Sequence, residues 1–76
     1  MESRDDRVRR VALEAARLAT GDLSLTLHSE VDSGTAMSIG HALADEFGVE
    51  ILADSSQEMA GPIETWVGYM NTLLGD

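Results

Sequence analysis

Apolar residues in this chain return every three or four positions in three separate stretches, and glycines punctuate the stretches. Such spacing lines one face of a helix and cannot line one face of a strand. In the first stretch, Val8, Val11, Ala12, Ala15, Leu18 and Ala19 fall at i, i+3, i+4, i+7, i+10 and i+11. A first helix over about Ser3–Ala19 follows, with Ser3 as cap, Asp5 and Asp6 at the positive end of the dipole, and Gly21 as terminator. Arg10, Glu14 and Arg17 fall on its other side and read as a solvated, ion-paired face. Ala36, Ile39, Gly40, Leu43 and Phe47 predict a second helix over about Ser33–Phe47, stopped by Gly48. Ser55 and Glu58 have capping-box spacing for a short third helix. Gly61-Pro62 predicts the start of a fourth, since proline suits the first helical position. Its buried stripe is Ile63, Trp66, Val67, Met70, Leu73 and Leu74.

Residues 22–31 do not follow this period. Leu23, Leu25 and Leu27 alternate with Ser24, Thr26 and His28, a strand pattern. The only partner the pattern offers is Val49–Leu52, and two such strands make a marginal sheet. The segment is therefore expected to be a long loop whose leucines plug the ends of a helical bundle. The fold class is all-α, with three main helices, one minor helix and a long first loop.

At 76 residues the chain holds one domain, 1–76, with a thin core and little room for a cleft of converging catalytic groups. Without cysteine it has no disulfide, no thiolate zinc site and no cysteine nucleophile. The N-terminal Met1–Arg7 segment is charged and carries no apolar h-region, and no apolar run approaches the roughly 18 residues needed to span a bilayer. A soluble, cytoplasmic protein is expected. The net charge of −9 is divided unevenly: five arginines and four carboxylates in residues 1–17 leave +1, and ten carboxylates with no Lys or Arg leave residues 18–76 at −10. Such a body repels nucleic acid and anionic membranes and attracts basic protein partners, besides keeping a small protein in solution.

Catalytic and metal chemistry find few candidates. His28 and His41 lie in no HxxxH or carboxylate-rich cluster, the seven glycines form no phosphate loop, and no G-x-S-x-G elbow is present. A self-contained enzyme is not expected. There remains Asp32-Ser33, where the long loop meets the second helix. By residue type alone it is a helix cap, as Asp54-Ser55 also is.

The surroundings distinguish the two pairs. The run from Asp32-Ser33 through Ala42-Leu43, Phe47 and Ile51 resembles the signature of acyl carrier proteins, in which an Asp-Ser pair opens the second helix and an Ala-Leu-x-x-x-Phe-x-x-x-Ile pattern closes it. Arg7-Val8-Arg9-Arg10-Val11 resembles the family's Arg-Val-x-x-Ile run. Ile63, Val67, Tyr69 and Met70 resemble its Val-x-x-x-Ile-x-Tyr-Ile, with one inserted residue near Gly61. The resemblance covers nearly the whole chain and implies an acyl-carrier-like four-helix bundle, free-standing and monomeric.

That resemblance implies a carrier without catalysis of its own, bearing 4′-phosphopantetheine from coenzyme A on Ser33. A phosphopantetheinyl transferase attaches the arm, and its thiol carries acyl groups as thioesters to acyl-transferring and condensing enzymes with basic docking surfaces. The missing cysteine is then no obstacle, because the sulfur comes with the arm. Asp32 would orient the transferase and its metal. Gly34, Met37, His41, Asp45 and Glu46 would contact partners, and Ile39, Leu43, Val67 and Met70 would line an acyl pocket. Each has a plainer alternative: Met37 as core, His41 as surface residue, and Asp45, Glu46 and Glu50 as a solvated face. The chain departs from the family in having Gly34 where Leu is usual, Ser38 where Glu is frequent, His41 where Met is common, and Ser29-Glu30-Val31 before Asp32-Ser33. These departures point to polyketide or other specialised biosynthesis rather than housekeeping fatty acid synthesis. A peptidyl carrier of nonribosomal synthesis fits less well, since Glu30-Val31 does not match its Gly-Gly. An unmodified acidic adaptor, with Asp32-Ser33 only a cap, is the alternative of another class.

Overall fold

The computed structural model describes residues 1–75, and Asp76, the last residue of the expected domain, lies outside them. Among the described residues the chain runs α1 (Arg4–Thr20), β1 (Glu30–Val31), α2 (Ser33–Phe47), α3 (Ala53–Glu58), β2 (Gly61–Pro62) and α4 (Thr65–Leu73). It is mostly helical, as the apolar periodicity predicts, and none of its described helices is long and apolar enough to cross a membrane.

Helices α1 and α2 begin and end on local chemistry. The Ser3 hydroxyl accepts the Asp6 N–H at 3.1 Å, and the Asp32 carboxylate accepts the Thr35 N–H at 2.8 Å. Each satisfies a first-turn donor that the helix itself leaves open. Both helices stop at a left-handed glycine, Gly21 (φ 74°) and Gly48 (φ 65°), a conformation free of Cβ clash only in glycine. Val8, Ala12 and Ala16 of α1 meet Ile39 and Leu43 of α2 and Trp66 and Met70 of α4 in one core. Gly40 lets α2 approach α3 closely: a β-carbon there would collide with the Ser56 hydroxyl and lie 3.1 Å from Trp66 Cη2. The Trp66 ring stands edge-on to Tyr69, and its Nε1 is the one buried side-chain polar atom without a partner among the described residues.

Several expectations are corrected. The stripe of α1 turns inward at Ala16, whereas Leu18 is 85% exposed and Ala19 is exposed too, because the returning loop meets the last turn on the side of Arg17, whose guanidinium holds the Leu25 carbonyl. Of the expected ion-paired face, Arg10 is paired, but with Glu2 outside the helix, and among the described residues neither Arg10 nor Arg17 forms a salt bridge with Glu14. Arg10 forks onto Glu2 at 2.9 and 3.1 Å, and Arg17 donates to the Leu25 carbonyl at 2.9 Å. An exposed i,i+4 pair is worth only about 0.3–0.5 kcal/mol, so a backbone carbonyl without a helical partner competes well for the guanidinium. In the loop, Leu25 and Leu27 pack half-buried against the core, but Leu23 is 78% exposed.

Another correction concerns α3, which starts at Ala53 after Leu52, with no side-chain cap. Ser55 therefore lies inside the helix, and Ser56 is turned into the core. A further one concerns Gly61-Pro62, which instead of starting α4 pairs antiparallel with Glu30–Val31 (Glu30 opposite Pro62, Val31 opposite Gly61), so the expected loop ends in a short strand whose partner is not Val49–Leu52. The amides that follow are already engaged: Ile63 N–H donates to Ser29 O at 3.1 Å and Glu64 N–H to Leu27 O at 2.9 Å. Helix α4 consequently begins only at Thr65, whose hydroxyl donates to Pro62 O at 2.6 Å, and its buried stripe ends early: in the last turn Leu74 packs against the core and Leu73 is left 40% exposed.

Candidate functional site at the head of α2

Asp32, Ser33 and Gly34 form an exposed corner where the first loop turns into α2. Two residues upstream, the β1–β2 pairing ties the backbone to the segment before α4, so the direction from which the chain reaches the helix is set by a non-local contact. Asp32 is extended (φ −79°, ψ 176°), and its carbonyl accepts the Ala36 N–H at 2.9 Å while its Oδ1 accepts the Thr35 N–H. Hydrogen bonds from Thr35, first its backbone N–H and then its side chain, hold the Asp32 carboxyl below the usual carboxylate range.

Ser33 is the first residue of α2 and is exposed. Neither its hydroxyl nor the backbone N–H groups of Ser33 and Gly34 have a protein hydrogen-bond partner among the described residues. With Thr35 taken by Asp32, two open donors and the positive end of the α2 dipole remain beside the hydroxyl. A β-carbon at Gly34 would meet only Asp32 Oδ1, at 3.7 Å, so neither space nor backbone demands glycine there, and its presence leaves the surface beside Ser33 bare.

The other expected site residues separate into two groups. Ser33, Met37, His41 and Asp45 are four apart and all exposed, forming a ridge down one face of α2. Gln57 of α3 donates to Met37 Sδ at 3.3 Å, which fastens that end of the ridge to the neighbouring helix. His41 Nε2 lies 3.9 Å from Asp45 Oδ2. Glu46 stands apart from the ridge: Arg7 Nε donates to its Oε2 at 2.7 Å, and Arg7 Cζ sits 4.8 Å above the Phe47 ring. Ile39, Leu43 and Met70 are fully buried and Val67 nearly so, all within the core.

The residue pattern did not reveal an open groove of about 620 Å³ between α1 and α2. Leu18, Ala19 and Ala15 form one wall, and Ser38, Ala42 and Asp45 belong to the other. No sequence signal announced it, since Ala15, Leu18 and Ala19 read as part of the buried stripe. Compared with known proteins, the chain matches no family model, and no curated protein or solved structure is significantly similar to it.

Proposed function

We propose that the protein is an acyl carrier with an acyl-carrier-like four-helix bundle, modified on Ser33 by a phosphopantetheinyl transferase. The observation that carries this reading is the exposure of an unengaged serine hydroxyl at the first position of α2, beside two open N–H groups. A phosphodiester suits that corner: the open amides and the helix dipole stabilise its negative charge, and no side chain at Gly34 crowds it. When bound, 4′-phosphopantetheine supplies the terminal thiol on which an acyl group is held as a thioester.

The chain's own residues hold and present. Asp32 is anionic at neutral pH, as an exposed carboxylate is, and the hydrogen bonds from Thr35 favour its charged form further. Its carboxylate is exposed beside Ser33, where it would orient the transferase and its metal. The ridge of Met37, His41 and Asp45, running away from Ser33, suits acyl-transferring and condensing enzymes with basic docking surfaces. Ile39, Leu43, Val67 and Met70 are packed in the core, so sheltering an acyl chain among them requires the core to open. Gly34, Ser38 and His41 favour polyketide or other specialised biosynthesis over the housekeeping fatty acid pathway.

Coenzyme A bearing a fluorophore on its thiol, together with a broad-specificity transferase, tests this reading. Labelling of the wild type but not of Ser33→Ala is expected. An unlabelled wild type beside a labelled control carrier would favour the acidic adaptor, in which Asp32-Ser33 is a cap and nothing more.

A further inference from the structure

The α1–α2 groove lies off the Ser33 corner, although it shares Asp45 and Glu46 with the residues expected to contact a carrier's partners. It follows α1 from Arg10 to Ala19 and α2 from Ser38 to Glu46. At 1.5 Å per residue this is about 12–14 Å, or roughly two and a half helical turns. Its lining repeats at helical spacing on both sides: Val11, Ala15 and Leu18 on α1, Ser38, Ala42 and Asp45 on α2. The small side chains of Ala15, Ala19, Ser38 and Ala42 leave room for another backbone to come close, while Leu18, 85% exposed, is a large apolar side chain on the rim. A groove between two helices with this shape accepts the ridge of a third.

Its charge identifies the sign of the occupant. Arg10 is neutralised by its fork onto Glu2, and Glu46 by Arg7. Glu14 and Asp45 remain, one on each side: neither forms a salt bridge with an arginine among the described residues, although the Arg10 charge reaches Glu14 and His41 Nε2 lies 3.9 Å from Asp45 Oδ2. All five arginines sit on α1, one wall of the groove, but the chain as a whole carries −9, so its field still attracts cations from a distance.

We propose that the α1–α2 groove is the docking site for a cationic amphipathic helix of a partner protein, whose apolar ridge packs on Leu18 and Ala15 while its Lys or Arg flanks meet Glu14 and Asp45. The exposed Leu18 is then an anchor, and the carboxylates set orientation and association rate.

A synthetic amphipathic lysine–leucine peptide of about four turns, titrated into ¹⁵N-labelled protein, tests this. Shift changes confined to Arg10–Ala19 and Ser38–Glu46 are expected. Leu18→Ser is expected to weaken binding about tenfold, and Glu14→Gln/Asp45→Asn to weaken it severalfold and flatten its salt dependence. Leu52→Ser, at an exposed leucine outside the groove, is expected to change nothing. Ala19→Lys, at an exposed position, closes the groove without touching the core and is expected to reproduce the loss. Shifts spread over the whole acidic surface, or equal effects of Leu18→Ser and Leu52→Ser, would overturn the proposal. So would a wild type that dimerises in sedimentation through Leu18, because the occupant would then be a second copy of the chain.

Discussion

Gly40 of α2 and Ser56 of α3 sit so close that a β-carbon at position 40 would be driven into the serine hydroxyl and would also lie 3.1 Å from Trp66 Cη2. Three helices therefore meet at a position where only hydrogen fits. Exchanging glycine for alanine inside a helix ordinarily gains about 1 kcal/mol. Overpacking reverses the sign here, and Gly40→Ala is expected to lose about 1–2 kcal/mol in urea unfolding. With Ser56→Ala already present the hydroxyl is gone, and the same exchange is expected to cost markedly less. Additive losses in the double variant would show that the contact is not the cause.

Arg7 joins α1 to the end of α2 in two ways, through the Glu46 carboxylate and over the Phe47 ring. The ion pair is partly exposed and contributes a few tenths of a kcal/mol up to about 1. The cation–π contact adds about 0.5–1 kcal/mol. Arg7→Ala is expected to cost about 1–2 kcal/mol, and Arg7→Lys about half of that, because an ammonium has no flat face to lay on the ring. Urea midpoints at low and at 1 M salt check this: salt is expected to remove only the ion-pair part of the loss.

The Asp32 cap makes a pH-dependent prediction. Its carboxyl titrates below its unfolded-state value, so its contribution to stability is fully present above about pH 3.9 and is lost as pH falls through the lower folded value. Asp32→Ala is therefore expected to unfold at lower urea than the wild type at pH 7, with the gap closing under strong acid. Asp32→Asn keeps a side-chain acceptor for the Thr35 N–H and is expected to hold stability at pH 7 without that acid dependence. A gap between Asp32→Ala and wild type that stayed constant from pH 7 into strong acid would contradict the assignment.

What the residues announced in advance was what neighbours in the chain decide. The bounds of α2 were legible because an aspartate cap and a left-handed glycine are local devices. The start of α4 was not, since Pro62 suits a helix start equally well. The deciding bonds come from Ser29 and Leu27, more than thirty residues upstream. Likewise, the stripe of α1 named the buried side but could not show that nothing covers Leu18, which depends on where the loop after Gly21 runs. The corner at Ser33 was legible as a sequence junction. Its exposure and its open amides emerge only once the β1–β2 pairing and the Asp32–Thr35 bond are in view.

Intact mass after incubation with coenzyme A and a broad-specificity phosphopantetheinyl transferase measures the central claim directly. One phosphopantetheine added to the wild type and none to Ser33→Ala is the predicted result. The contradicting result is an unchanged wild-type mass with every transferase tried, including one from the source organism, or an equal addition to Ser33→Ala.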